Sequence, residues 1–323
     1  MQSEIKDRAA MNRGIKGIGL MSVDSIQALL KDVSGGSVKL AEPMSLHTTF
    51  RVGGPADYFV EPAGAKNTMD TIIICRRQKL PYYVIGRGSN LLVGDRGIRG
   101  VVIHIGDSVS KCVIEDGKIY AEAGISLAML AHKALEESLE GLEFAAGIPG
   151  SLGGALVMNA GAYGGEMKDV VKAVQVFTPD GLLRWVDAHD MEFGYRHSIL
   201  QKEGGIALAA EIELQKGDSS AIKTKMAELS VRRRTKQPLE YPSAGSTFKR
   251  PEGFFAGKLI QDCGLAGFSI GGAAVSQKHC GFVINKGEAT AADVLELCEY
   301  IQNKVKEKFD VRLEKEIRCI GEF

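Results

Sequence analysis

The sequence predicts an α+β chain built in three pieces, and three observations carry that prediction. Residues 57–90 read as strand, helix and strand, ending in a glycine-rich loop, Gly86-Arg87-Gly88-Ser89-Asn90. Hairpin turns at Asp116-Gly117 and Pro179-Asp180-Gly181 bracket a stretch, 141–165, dominated by glycine and small residues. The C-terminal third then returns to helices and strands of its own. A chain of 323 residues exceeds one small core. Breaks near 107 and 217 divide it into a leader, 1–38, and pieces 39–107, 108–217 and 218–323.

Each element has a local cause. A helix over 22–31 stops at Gly35-Gly36. Residues 57–61 are strand-like, 65–79 helical with Ile72, Ile73 and Ile74 mid-run, and 82–85 and 101–105 apolar strands. In the second piece, strands over 112–115 and 118–123 flank the Asp116-Gly117 turn. Ser126 is placed to cap a helix reaching Glu137. Strands over 170–177, 182–186 and 206–214 follow. A helix over 219–234 ends in Arg232, Arg233, Arg234 and Lys236. In the third piece, 256–262 is a short helix and 281–284 a strand. Thr290 and Asp293 form a capping box for a helix with the stripe Val294, Cys298, Ile301 and Val305. Residues 311–320 read as one strand, with Val311, Leu313, Ile317 and Cys319 on one face and Glu314, Glu316 and Arg318 on the other.

Composition narrows the function. Forty basic and forty acidic side chains cancel, which argues against a nucleic-acid partner. The six cysteines form no CxxC pair and the six histidines do not cluster, so no metal site is expected. Scattered thiols of this kind are expected to be free and buried, in a reducing compartment. The N-terminus carries Lys6, Arg8, Arg13 and Lys16 without a continuous apolar run. No segment reaches the ~18 apolar residues of a membrane span. The expectation is a cytoplasmic protein with no membrane insertion.

Three loops could carry a ligand: 86–91, 147–154 and 159–165. The first begins like a dinucleotide fingerprint but has Leu91 where the third glycine belongs, so a Rossmann motif is absent. Glycine lets backbone N–H groups approach an anion with no Cβ between. Tight turns without a ligand are the plain alternative for any one loop. Three of them, with little basic charge inside, point to a dinucleotide. Arg196 and His197 follow Phe193-Gly194-Tyr195, and Ser246 lies in Ser243-Ala244-Gly245-Ser246-Thr247-Phe248-Lys249-Arg250. Ser246 lacks the GxSxG setting and a local base, so a proton or hydrogen-bond donor fits better than a nucleophile. Taken alone, Arg196, the basic helix end and Glu316 can equally be solvated charges.

Together these segments resemble the UDP-N-acetylenolpyruvoylglucosamine reductases, from about Leu40 to the end of the chain. The resemblance rests on Thr48-Thr49-Phe50-Arg51-Val52-Gly53-Gly54-Pro55-Ala56, on Gly86 through Leu92 and on Ile148-Pro149-Gly150-Ser151-Leu152-Gly153-Gly154-Ala155. It rests equally on Asn159-Ala160-Gly161-Ala162-Tyr163-Gly164, Gly194-Tyr195-Arg196-His197-Ser198, Ala244 through Lys249, and Glu316-Ile317-Arg318-Cys319-Ile320-Gly321. It implies a two-subdomain FAD-binding domain of the vanillyl-alcohol-oxidase (PCMH) type plus a C-terminal α+β substrate-binding domain. FAD would be held tightly and non-covalently by Arg51, Gly53, Gly86, Arg87, Gly88, Ser89, Asn90, Leu91, Ile148, Pro149, Gly150, Ser151, Gly153, Gly154, Asn159, Gly161, Ala162 and Tyr163. The chain passes from Ile199 to the strand at 206 without room for an inserted tyrosine loop, so it resembles the family's shorter subclass.

The resemblance also implies the chemistry. NADPH reduces the flavin, which passes hydride to the enolpyruvyl methylene of UDP-N-acetylglucosamine enolpyruvate. Arg196 then stabilises the developing enolate, Ser246 protonates the adjacent carbon, and Glu316 polarises the carboxylate if it is protonated or paired with Arg196. Lys236, Lys249, Arg250 and His279 are expected to contact substrate. A monomer is expected. A flavin oxidase of the same fold and a non-catalytic flavin-binding module are the rival readings.

Overall fold

A computed structural model describes residues 21–323. The basic N-terminal stretch, and the expectation that it is neither signal nor membrane span, lie outside them. Helix α1, Val23–Ser34, starts where the Ser22 hydroxyl accepts from the Ser25 N–H and stops at Gly35 in the left-handed region. It buries Leu30 on the first core, so the expected leader is part of that unit. The strand after it, β1 (Ser37–Pro43), was not expected. It is a sheet edge with a mostly exposed pattern, and its apolar alternation is limited to Val38 and Leu40.

The first sheet runs β1, β2 (Pro55–Glu61), β5 (Ile98–His104), β3 (Tyr82–Ile85). The last three are mutually parallel, and α2 (Ala65–Arg77) crosses between β2 and β3, burying Ile72 and Cys75. The 86–90 loop therefore leaves the carboxyl end of a parallel strand, the usual place for a ligand in such sheets. The short β4, Leu91–Val93, follows it.

The second sheet is antiparallel, in the order β9 (Leu183–Asp187), β8 (Val171–Phe177), β10 (Ile206–Glu213), β7 (Lys118–Glu122), β6 (Cys112–Glu115). Asp116 and Gly117 both take positive φ, as a two-residue hairpin turn requires. Three helices cover this unit: α3 (Leu127–Glu136), capped by Ser126; α4 (Leu152–Met158); and α5 (Ser219–Lys236). The sequence reading put α5 in the third piece. Its two buried residues, Ile222 and Met226, instead join Leu127, Leu130, Leu156 and Ile212 in the second core. Ile222, Met226 and Leu229, at i, i+4 and i+7, mark the side that packs, but so short a stripe carries no signal of which unit it packs against.

In the third unit, α6 (Ala256–Asp262) and α7 (Ala291–Phe309) pack on a three-stranded sheet, β11 (Ser269–Ile270), β12 (Ala273–Val275) and β13 (Val283–Asn285). The capping box forms, with the Thr290 hydroxyl accepting from the Asp293 N–H at 3.0 Å and the Asp293 carboxylate accepting from the Thr290 N–H at 3.0 Å. All four stripe residues of α7 are fully buried.

The expected strand over 311–320 does not form as one piece. Leu313 and Ile317 are buried as the alternation requires, but the chain bends at Ile317 and only β14, Arg318–Ile320, is strand. β14 pairs in parallel with β4, Arg318 opposite Leu91, and the new course leaves Cys319 exposed. The expectation that all six thiols are buried fails there, and Cys112 and Cys263 are only half-buried; all six are free. Phe50, Val52 and Leu92 of the first unit share a core with α6 and α7. The Asp95 carboxylate accepts from the N–H groups of Ala291 and Ala292, at 2.7 and 3.0 Å.

Candidate active site

The glycine loops meet where the first two units face each other. A Cβ on Gly86 would lie 2.3 Å from the Ser151 hydroxyl, and one on Gly150 would lie 3.2 Å from that of Ser89. Gly88, at φ +62°, lies against the next loop: a Cβ there would be 2.0 Å from the His47 carbonyl oxygen. Among the described residues, the N–H groups of Arg87, Gly88, Ser89 and Asn90 have no hydrogen-bond partner in the protein. Four backbone donors left over beside close-packed glycines suit a pyrophosphate. Gly154, in the first turn of α4, has open space where a Cβ would stand.

The expected cofactor residues divide. Gly86, Gly88, Ser89, Gly150 and Ser151 come together. Gly153 packs on Ala123, and the Gly161–Ala162 strand pairs with Gly165–Glu166. Ile148 packs against the second core while Pro149 is exposed. Arg87 turns to the surface, where it pairs with Asp107 at 2.8 Å. Arg51 is exposed, and Gly53 is pressed against Val93. Asn159 is expected among the cofactor residues, and its side chain is already engaged within the protein. That side chain is fully buried and spent on protein: its amide donates to Glu166 and to the Gly194 carbonyl, both at 3.0 Å, and its oxygen accepts from the Lys168 N–H at 2.9 Å. Of the helix end for which solvated charge was one alternative, Arg233 donates to the Gly147 carbonyl and Arg232 lies over the Tyr163 ring, 5.1 Å from its centre. The basic helix end thus braces two of the glycine loops.

A cavity of about 410 Å³ opens between the second and third units. Arg196, Ser246 and Glu316, separated by 50 and 70 positions, all line it. Arg196 sits in a turn closed by reciprocal Gly194–His197 backbone bonds and takes φ +55°. That left-handed conformation costs a non-glycine residue about 1–2 kcal/mol, so its surroundings must hold it. Arg196 Nε donates to Glu316 Oε1 at 2.5 Å, with side-chain exposures of 21% and 11%. Burial pushes the Glu316 carboxyl above its ordinary range, while Arg196 and, more weakly, Lys249 pull it back. The Asn90 side chain donates to the Glu316 carbonyl at 3.1 Å, tying the 86–90 loop to this pair.

Arg250 and His279 also line the cavity, and Lys236 and Lys249 do not. Lys249 pairs with Glu314 at 3.2 Å on the outer face. The Arg250 guanidinium lies 4.0 Å from the centre of the Phe255 ring and donates through Nε to the Phe254 carbonyl at 3.3 Å. The Gly281 N–H donates to His279 Nδ1 at 3.1 Å, so a neutral His279 carries its proton on Nε2. Burial holds His279 below its ordinary pKa, and the charge of Lys236 adds to that. Tyr195, Phe255, Lys258 and Gln277 line the cavity without having been singled out in the sequence. Tyr195 was legible as the neighbour of Arg196; the others stand in segments with no motif.

Residues 56–187 match the model of an FAD-binding domain, and residues 237–320 match that of the C-terminal domain of UDP-N-acetylenolpyruvoylglucosamine reductase. The reductase of that name from Caldanaerobacter subterraneus is 53% identical over 300 residues, spanning 93% of this chain and 98% of the relative. The one from Clostridioides difficile is 50% identical over 294 residues, spanning 91% and 97%. This chain belongs to the UDP-N-acetylenolpyruvoylglucosamine reductase family. The crystal structure of the Thermus caldophilus reductase superposes with a TM-score of 0.73 at 37% identity, covering 88% of this chain and 98% of that one. The reductase family and the matching FAD domain make this chain an FAD-dependent oxidoreductase of peptidoglycan synthesis, with the PCMH-type fold that the motifs implied. Among the described residues no helix is long and apolar enough to cross a membrane, and no three or more His, Cys, Asp or Glu side chains gather as a metal ion would need.

Proposed function

We propose that this reductase converts UDP-N-acetylglucosamine enolpyruvate to UDP-N-acetylmuramate with NADPH as reductant, acting as a monomer in the cytoplasm. The supporting observation is the Arg196–Glu316 pair, 2.5 Å apart, lining one cavity with Ser246 and tied through Asn90 to the 86–90 loop. Bound FAD supplies two-electron hydride chemistry; the 86–90 and 150–151 loops would hold its pyrophosphate and the ends of the cavity its reactive ring. Arg196 orients the enolpyruvyl carboxylate and stabilises the charge that develops beside it when hydride reaches the methylene carbon. Ser246 donates the proton to the adjacent carbon.

Glu316 meets the condition placed on it, because it is paired with Arg196. Its raised carboxyl also keeps a proton within reach when a second carboxylate arrives. Arg250, stacked on Phe255, presents a cation to the sugar nucleotide, and neutral His279 offers its Nε2 proton.

The test is a two-step spectrum under anaerobic conditions. NADPH should bleach the flavin, and UDP-N-acetylglucosamine enolpyruvate should then restore its yellow colour. Bleaching without recovery would leave the flavin assignment standing and reject the substrate. Oxygen uptake with a simple alcohol or sugar, independent of NADPH, would favour the oxidase reading.

A further inference from the structure

We infer that Gln201 is a positioning residue for the Arg196–Glu316 pair, an inference that rests on the roles given to that pair above. Gln201 stands in a single helical turn, Leu200–Glu203, and does not line the cavity. Its carboxamide uses both of its ends. Nε2 donates to the Arg196 carbonyl at 3.0 Å and to the Val157 carbonyl at 2.8 Å, and Oε1 accepts from Arg318. Arg318 lies two residues beyond Glu316, in β14, where its own N–H donates to the Asn90 carbonyl at 2.9 Å. One side chain therefore fastens the turn that presents Arg196 to the strand that presents Glu316.

The need for such a fastener follows from the geometry. Arg196 and Glu316 lie 120 positions apart and must meet at 2.5 Å. The Arg196 backbone is left-handed and does not hold itself there. Its turn is pegged at both carbonyls, Gly194 by Asn159 at 3.0 Å and Arg196 by Gln201 at 3.0 Å. Asn159 belongs to the same unit as the turn, whereas Gln201 alone of the two also reaches the C-terminal strand. Releasing it lets the guanidinium drift from the carboxylate without removing any group that touches substrate. A displacement near 1 Å is worth up to about 100-fold in rate.

The holoenzyme of three variants tests this: Gln201→Leu, which removes every bond; Gln201→Glu, which keeps an acceptor for Arg318 but loses both donations; and Arg196→Lys as reference. Gln201→Leu and Gln201→Glu should keep their flavin and be bleached by NADPH within about threefold of the parent rate, while kcat for the enolpyruvyl substrate falls about 10- to 100-fold. The acidic pH profile of that half-reaction should move upward, because Glu316 loses the cation that holds its pKa down. Parental kcat in both Gln201 variants, beside a crippled Arg196→Lys, would overturn the inference and leave the reading of Arg196 intact. Parental kcat in Arg196→Lys would remove that reading and this inference with it. Equal loss in both half-reactions together with lost flavin would reduce Gln201 to a folding role and likewise overturn it.

Discussion

The proposed flavin cradle and the proposed substrate cavity would recognise their ligands by opposite means. The cradle is made of backbone: Gly86, Gly88 and Gly150 bring unpaired N–H groups together, and its arginines, Arg232 and Arg233, brace the loops from behind. The cavity is made of side chains on three separate segments, Arg196, Ser246 and Glu316, with Arg250 and His279 beyond. A backbone site depends on what is missing at each position, so an added methyl is the damaging change. A side-chain site depends on what is present, so truncation or a change of proton state is damaging. The two regions should therefore fail differently.

The sharpest test of the contrast is Ser246→Ala. Removing the proposed proton donor should lower turnover of the enolpyruvyl substrate about 100- to 10,000-fold, with flavin reduction by NADPH nearly unchanged. Single-turnover absorbance traces separate the two steps. Equal falls in both would remove Ser246 from the donor role.

In the cradle the matching change is Gly88→Ala. The new Cβ would stand 2.0 Å from the His47 carbonyl oxygen on a backbone at φ +62°, so the loop must move. The expected result is folded protein that purifies with little flavin, read from flavin absorbance per mole of chain. Gly154→Ala is the control for crowding, since nothing beyond its chain neighbours and its own helix backbone lies within 4 Å of its Cβ position. Its melting temperature should hold, and any flavin it loses would report a ligand close to that turn.

The cradle was the more legible region, and the reason is physical. Closely approaching backbone needs glycine, so the loops 86–90 and 147–154 are written in consecutive residues. The strand-helix-strand frame beneath them was legible through its apolar runs. Arg196, Ser246 and Glu316 were visible as motifs, and their common site only through the family resemblance, because a contact across 120 positions has no local signature. Gln201 was invisible for the same reason: a glutamine on a short polar turn gives no sign of which carbonyls it will reach. Edge strand β1 was missed because both its faces are largely exposed, and the bend at Ile317 because the alternation of 311–317 continues smoothly into β14. Helix α5 packs on the second unit rather than the third because its short stripe, Ile222, Met226 and Leu229, marks a packing side without naming the partner.

Proton state gives a third, smaller way to separate the regions. The Glu316 carboxyl already sits above its ordinary value of 4.5, chiefly through burial. A substrate carboxylate beside Arg196 adds a like charge and pushes it higher, so binding should take up a proton. Affinity for the enolpyruvyl substrate should then fall as pH rises between the two pKa values, by at most about tenfold per pH unit. Glu316→Gln should flatten that slope while leaving flavin affinity, for which the proposed cradle offers neutral N–H donors, insensitive to pH over the same range. A slope that survives in Glu316→Gln would place the titrating group elsewhere.

The smallest expected effect asks whether the two regions are mechanically one. Asp95 follows β4, on the cradle side, yet its carboxylate closes the first turn of α7 in the substrate unit through Ala291 and Ala292. A carboxylate at a helix start satisfies donors that the helix cannot and lies favourably in its dipole, together worth about 1–2 kcal/mol. Asp95→Ala should lower the melting temperature by a few degrees, since a kilocalorie moves a domain of this size by about 2–4 °C. Because Phe50, Val52 and Leu92 still join the α6–α7 core, the third unit should stay docked, with flavin content unchanged and KM for the sugar nucleotide raised modestly. Two separate melting transitions in the variant would mean that this cap, rather than the shared apolar core, couples the substrate unit to the cradle.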